Sequence, residues 1–510
     1  MSLNRVAEAN GRAGLRNWLG LLILMLPVLL VTVDNTILSF ALPKIAEALG
    51  PSASQQLWVI DAYSLVLAGL LVSMGSIGDR VGHRSLLLFG SLGFTVISVL
   101  TALSTSPEQL IGGRAVLGFF GAMLMPSTLA LISTLFEDRE QRRLAVAIWA
   151  TTLTVGSALG PVIGGVLLQF FDWNSIFLLA VPVLVPLLIF GPMLLPESEK
   201  KQTGIIDGYS VVLSIIAMVG IVYAIKHLAS DGFEISVILE LSVGLVAGVL
   251  FVRRQRRLPV PLMDLSLFRN GMFTGSIMVN LLSLALLVGF VFFATQVLQI
   301  VLGMKPISAS LALVPGQIMA IIIGMAIVPV AQRMPAYYLV PMLLAFAGIA
   351  FLLVASFGSD LTTLVVAFAL LNVGVGAIAS VSNDLVLSSV PSSKAGAASA
   401  ISETAYEVGV VLGTTIIGGL VTAFYRVTLQ LPDGISHEQT GLALETLAGA
   451  YVVANSLAEA EGQQLMTAAA ESFTSAIHMM SWMTAVLTSV VVLIAWRLLK
   501  APQKQQVLEY

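Results

Sequence analysis

Apolar runs of about 20 residues or more recur along almost the whole chain, and each is long enough to cross a hydrocarbon core roughly 30 Å thick. Inside lipid a backbone N–H or C=O has no water to bond, so such a run is stable only as a helix. The runs lack the apolar/polar alternation of a membrane β-strand. Of the 510 residues, 57% are hydrophobic and 10% charged. A soluble body carries about 25% charged residues, so an all-α membrane protein is the expected fold class. The chain has no cysteine, which excludes disulfides, thiolate metal sites and cysteine nucleophiles. A net charge of −3 offers nothing to nucleic acid. The basic N-terminus resembles a signal peptide, but the following run is too long, contains Asp34 and has no small-residue cleavage site, so it is read as a span.

Fourteen spans are expected, over 18–40, 56–77, 85–104, 108–135, 143–168, 174–195, 208–228, 235–252, 271–300, 307–331, 337–357, 361–390, 395–424 and 473–498. The positive-inside rule orients them. With the N-terminus inside, inner segments hold 20 of the 25 Lys and Arg residues, among them Arg5, Arg12, Arg16, Lys200, Lys201, the four arginines of 253–257 and Lys504. Outer segments hold Lys44, Lys226, Lys305 and Arg426, and Arg114 lies within a span. Both termini are therefore expected in the cytoplasm. Six spans precede the polar stretch 196–207, two shorter ones follow, and six more come after the basic stretch 253–270. The division reads as a six-helix bundle over 1–196, a two-helix insert over 197–257 and a second six-helix bundle over 258–510. Repeated halves are how many transporters build a central site. The outer segment 425–472 is the longest polar interval; within it, 442–457 is apolar at helical spacing and fits a surface helix or a loosely ordered loop equally well.

Asp34, Asp61, Arg114, Asp384, Glu403 and Glu407 are read as the ionisable residues inside spans. Each is costly against lipid and belongs in a cavity or beside a partner. Asp34 is 16 residues past Trp18, about 24 Å above the inner face at a rise of about 1.5 Å per residue. Arg114 enters from outside and reaches about the same level, as does Asp61. Asp34 and Arg114 are thus candidates to pair, either to pin helices or to handle a proton. Glu403 and Glu407 are four apart and share one helix face. Two carboxylates this close resist ionising together, which suits a proton carrier or a cation site. Asp384 is placed at a solvated span end and His478 at the interface.

Six segments carry more specific information. Gly75, Asp79, Arg80, Gly82 and Arg84 fall in the inner loop between spans two and three, where glycines permit a tight turn and charges can grip helix ends. This string resembles the signature loop of the major facilitator superfamily, with His83 in place of the usual Arg or Lys. Gly156, Gly160, Pro161, Gly164 and Gly165 lie in span five, where small residues let helices approach closely and Pro161 invites a bend. That string resembles the antiporter motif of drug exporters in the superfamily. Residues 30–43, Arg114 to Gly121, and Trp173, Phe177 and Pro182 resemble further motifs of its fourteen-helix drug:proton antiporter family, with Asn174 replacing an Arg. The segment from Ser402 to Gly409 is similar to the acidic segment of quaternary ammonium and methyl viologen exporters. Span ten lacks the acid some relatives carry, which bears on the range of dications handled.

The resemblance implies a major facilitator fold and a proton-coupled exporter of lipophilic cations, working by alternating access in a bacterial cytoplasmic (inner) membrane. Its partners would be small lipophilic cations, protons and membrane lipids. It would need no cofactor beyond the proton gradient and would work as a monomer. Asp34 and Arg114 are the proton-coupling candidates. Asp61, Tyr63, Glu403, Tyr406 and Glu407 are the substrate candidates, the tyrosines through cation–π contacts. No Gly-Lys dipeptide occurs, so a phosphate-binding GxxxxGK[ST] loop is impossible, and there is no HExxH zinc motif. Two alternatives stand beside this one: an exporter of a neutral metabolite or another antibiotic, and a receptor on a transporter scaffold, which an appended signalling domain would favour.

Overall fold

The computed structural model describes residues 14–136, 138–197, 207–258, 261–390, 394–432 and 436–500. Arg5, Arg12, Lys200, Lys201 and Lys504 lie outside them. Fourteen helices among the described residues are long and apolar enough to span a membrane. The first six are α1 (Leu15–Leu49), α2 (Ala53–Val81), α3 (His83–Ala102), α4 (Pro107–Leu135), α5 (Arg139–Phe170) and α6 (Ser175–Leu178 with Ala180–Leu194). The insert is α7 (Gly208–Asp231) and α8 (Ile235–Gln255). The second half comprises α9 (Gly271–Gln296, prolonged by a π-turn over Val297–Val301), α10 (Pro306–Ala326), α11 (Ala336–Phe357), α12 (Leu361–Ser388) and α13. Helix α13 is three pieces in line: Ala395–Leu412, a π-helical Gly413–Gly418, and Gly419–Thr428. Two short helices, α14 (His437–Glu445) and α15 (Leu447–Ser456), precede the last spanning helix, α16 (Glu459–Lys500). One end of the bundle carries the first and last described residues and is called the terminal end; the other is the far end.

The helix boundaries follow local chemistry. Ser52 caps α2 by accepting from the Gln55 N–H while the Gln55 side chain accepts from the Ser52 N–H, a reciprocal capping box. Ser106 caps α4 ahead of Pro107, whose missing N–H costs nothing at the first helical position. Gly82, at φ 98°, makes the turn from α2 to α3, a backbone conformation that a side chain would strain.

Without water between them, membrane helices associate through close packing and polar contacts. In the first half, α5 lies against α1: a Cβ on Gly156 or Gly160 would collide with Thr32 or Thr36. In the second half, α13 lies against α9, where a Cβ on Gly409 or Gly413 would collide with the Leu281 or Ala285 carbonyl. The same device, small residues four apart, thus occurs at matching places in the two halves. The halves meet along α2 against α13 and α5 against α10. Gly165, on the opposite face of α5 from Gly160, has the Ser310 hydroxyl and the Ile307 backbone of α10 in its place for a side chain.

The last spanning helix begins at Glu459 instead of 473, because polar residues at its start form helix above the apolar stretch. Of the two readings of 442–457, helix is the observed one: α14 and α15 form a small hairpin whose Leu447, Ala450 and Val453 are buried. The Tyr425 hydroxyl at the end of α13 donates to the Ala443 carbonyl at 3.0 Å and ties the hairpin down. The insert packs along α2 and also reaches the last part of α13. At its terminal end Arg254 grips Asp207 through two hydrogen bonds of 2.7 and 2.8 Å, which with the Ser210 hydroxyl hold that carboxyl down at about 2.

Candidate functional site

The helices above carry polar side chains to the seam between the halves. Asp34 comes from the middle of α1 and Arg114 from α4. Arg114 Nη1 donates to Asp34 Oδ2 at 2.5 Å, and its Nε donates to the Val59 carbonyl at 3.1 Å. Arg114 is 1% exposed and the Asp34 side chain 13%, so the pair sits at the margin of the buried region with the carboxylate on the accessible side. Depth counting from the sequence anticipated this juxtaposition.

Tyr63, expected to face substrate, is buried. Its ring lies under the Arg114 guanidinium, 4.6 Å from centroid to Cζ, and meets Phe94 edge-on at 6.3 Å. Gly118 and Gly121 of α4 leave room for it; a Cβ on Gly121 would come 3.0 Å from its hydroxyl. The cation it engages is therefore an internal one. Spacing on a helix shows which residues share a face but not which neighbour that face meets.

Glu403 and Glu407 project from α13 on one face. Glu407 is 8% exposed and its Oε1 accepts from the Asn35 amide of α1 at 3.1 Å, across the seam. Among the described residues its Oε2 is buried without a hydrogen-bond partner. Asn35 Oδ1 in turn accepts from Ser64 at 3.4 Å. Glu403 is half-buried, with no hydrogen bond or ion pair among the described residues. Near it a chain of polar groups runs across α9, α12 and α13: Asn280 donates to Ser402 at 3.1 Å, Ser402 to Asn383 at 3.3 Å, and Asn383 to the Tyr406 hydroxyl at 3.3 Å. Asp384 is exposed near the terminal end of α12, the position expected for a solvated end residue.

Asp61 is the main correction. It is fully buried, and both oxygens are engaged: Oδ2 meets the Lys226 ammonium at 2.7 Å and the Thr415 hydroxyl at 3.0 Å, and Oδ1 accepts from Thr414. It is closed to any substrate in this conformation. Lys226, assigned from the sequence to an outer segment, is instead 1% exposed within α7. The signal was available: Lys226 is 18 residues into α7, about 27 Å along it, and Asp61 lies about 12 Å below the far end of α2, so the depths match. Glu240 of α8 was likewise missed as an intramembrane acid; it engages His227 of α7 at 2.9 Å.

The hydrogen bonds found between the halves among the described residues run from mid-depth to the far end. They are Asn35 to Glu407, Thr414 and Thr415 to Asp61, Gln56 to Thr446 at 3.1 Å, the Ala53 N–H to Glu445 at 3.2 Å, and Gln299 to the Phe40 carbonyl at 3.2 Å. The far end is thus closed, with the α14–α15 hairpin clasping the start of α2.

At the terminal end the turn between α2 and α3 is held locally. Asp79 meets His83 at 3.2 Å, and Arg84 reaches across to the Leu195 carbonyl of the α6 end at 3.3 Å and to Glu197 at 3.4 Å. Arg80 keeps a buried Nε without a hydrogen-bond partner among the described residues. Gly75 lies 3.6 Å, measured from a Cβ placed on it, from Pro126 of α4. Pro161 stands inside α5 amid the glycines 156, 160, 164 and 165. Gly164 faces Ile37, one helix position beyond Thr36.

Comparison with known proteins gives this geometry a family. Residues 24–414 match the Major Facilitator Superfamily. The multidrug efflux pump LfrA of Mycolicibacterium smegmatis is 49% identical over 486 residues, 95% of this chain and 96% of that protein. The methyl viologen resistance protein SmvA of Salmonella typhimurium is 31% identical over 461 residues, 90% of this chain and 93% of that protein. Among solved structures, an inward-facing, unoccupied bacterial homolog of the human lysosomal transporter Spinster superposes with a TM-score of 0.65 at 15% identity, covering 96% of this chain and 98% of that one. That likeness concerns the fold alone.

Proposed function

Since the chain belongs to the Major Facilitator Superfamily and is a multi-pass membrane transporter rather than an enzyme, we propose that it exports lipophilic cations from the cytoplasm in exchange for protons. Export of drugs is the coarser reading and follows from relatives that are an efflux pump and a methyl viologen resistance protein. The finer reading, cationic substrates, is carried by one observation: Glu403 stands one helical turn from Glu407, which bonds across the seam, and has no cation beside it among the described residues. A half-buried carboxylate without a partner is costly, and a cationic substrate supplies the missing charge. Tyr406, held by Asn383, adds an aromatic face for that cation.

In the orientation given by the positive-inside rule the terminal end is cytoplasmic, so the closed far end faces outward and the site is loaded from inside. Proton coupling follows from adjacency. Asn35 holds Glu407, and Asp34, its neighbour in sequence, holds Arg114. A cation at Glu403 and Glu407 draws on the carboxylate that Asn35 bridges to α1, and the rearranged α1 weakens the Asp34–Arg114 pair. Asp34 then takes a proton once the site opens outward. The re-formed pair releases that proton to the cytoplasm after the drug has left. Everted membrane vesicles test this directly: a lipophilic cationic dye should accumulate when a pH gradient is imposed and stop when it is collapsed. Accumulation indifferent to the gradient refutes the proton coupling.

A further inference from the structure

Asp61 and Lys226 take no part in the cycle above, yet they form the most deeply buried ion pair described in the molecule, and three separate units meet there. Asp61 belongs to α2 of the first half, Lys226 to α7 of the insert, and Thr414 and Thr415 to α13 of the second half. We propose that Lys226 makes the two-helix insert a working part of the far-end gate: its ammonium pairs with Asp61 and holds it as the acceptor onto which Thr414 and Thr415 close.

The chemistry requires each member. Asp61 accepts two hydroxyl hydrogen bonds and forms an ion pair with one ammonium, an arrangement that suits a carboxylate with its several acceptor sites. Charge-assisted hydrogen bonds of this kind are roughly twice as strong as neutral ones. Without a cation, an ionised Asp61 at 0% exposure would be untenable. No other hydrogen-bond acceptor lies against the ammonium among the described residues. The Trp58 ring face, 4.0 Å from Nζ to centroid, covers it instead, and Tyr223 of α7 backs that ring at 6.0 Å. Lys226 is thereby aimed at one partner.

The backbone of α13 is adapted to the same contact. Successive residues of an α-helix point about 100° apart, so adjacent threonines would not ordinarily serve one carboxylate. Here both lie in the π-helical Gly413–Gly418, and the wider turn brings both hydroxyls onto Asp61. Single π-turns inside α-helices are frequent at functional sites. The seam between α2 and α13 separates the hydroxyls from the ion pair. When the far end opens, Thr414 and Thr415 leave with α13, whereas Lys226 stays against α2.

The proposal rests on the alternating-access reading, and the test separates the two. The chain has no cysteine, so cysteines introduced at Leu103 and Phe357, exposed at the far ends of α3 and α11, are the sole sites for spin labels. Their separation is measured in nanodiscs with and without tetraphenylphosphonium. The unmodified protein should show a short and a long distance in a substrate-dependent ratio; a single invariant distance overturns alternating access and this proposal with it. Given two distances, Thr414→Val with Thr415→Val should raise the long-to-short ratio at least tenfold while leaving the ion pair in place. Lys226→Met should shift it in the same direction. Asp61→Asn with Lys226→Met removes both charges and avoids an unpaired one, so it remains a folded background; in it the two threonine substitutions should add less than twofold, because they act through the missing carboxylate. An unchanged ratio in the threonine variant, or a full tenfold effect in the charge-free background, overturns the role of Lys226 and Asp61 in the gate and leaves alternating access standing.

Discussion

Glu403→Gln isolates the substrate charge from the architecture, because Glu403 has no partner among the described residues to lose, whereas Glu407 is bonded across the seam to Asn35. Folding stability should therefore not fall, and relieving an unpaired half-buried charge should if anything raise it. A unit charge about 5 Å from a carboxylate gains about 3 kcal/mol at an effective dielectric constant of about 20. Water in an open cavity roughly halves that, leaving about 1.5 kcal/mol, or about tenfold in affinity. A monovalent cation can still sit beside Glu407 and should lose less than about threefold in this estimate. A dication uses both carboxylates, about 6 Å apart along the helix, and should lose about tenfold; with Glu407→Gln as well, its loss should approach a hundredfold. The assay is competitive displacement of a fluorescent monocation from purified protein by methyl viologen and by tetraphenylphosphonium, followed by efflux of each from cells. Equal losses for the two ligands would refute the assignment of these carboxylates to the cation site, and an unfolded Glu403→Gln protein would refute the claim that Glu403 lacks a structural partner.

Three further substitutions probe the remaining parts. Asp34→Asn should bind substrate yet lose transport driven by a pH gradient, and substrate-induced proton uptake by purified protein should disappear; undiminished uptake means Asp34 carries no proton. Arg114→Ala removes the ion pair, the bond to Val59 and the stack on Tyr63, and should destabilise the fold by about 3–5 kcal/mol in denaturant titrations, whereas Arg114→Lys keeps the charge without the fork and should retain partial transport. Gly160→Leu places side-chain atoms where Thr36 of α1 stands, so transport should stop while ligand binding to purified protein persists; normal transport would show that the close approach of α5 to α1 is dispensable.

Much of the architecture was legible because the lipid solvent leaves little choice: length and apolarity mark the spans, and counting at 1.5 Å per residue gives depth. That count was enough to bring Asp34 and Arg114 together. The same count applied to α7 places Lys226 beside Asp61, whereas assignment to an outer segment leaves Lys226 without a buried partner. An apolar helix of the insert tolerates such a cation only because a partner waits on α2. Depth says nothing of azimuth, so Tyr63, at the right level, was read as facing substrate when its helix turns it toward Arg114. The π-turn in α13 had no sequence signature, since consecutive threonines after a glycine are ordinary in an apolar helix. The hairpin of α14 and α15 was half-visible, its apolar face readable from periodicity and its covering partners, α16 and α1, not.

The buried pair between α2 and α7 also constrains how this chain can change over generations. A gene losing the insert in one step would strand a carboxylate in a dry interior, a defect of several kcal/mol. Neutralising Asp61 while the insert remains strands Lys226 in the same interior. Either change alone is costly, so among descendants of this sequence the aspartate and the extra helices should be kept or lost together.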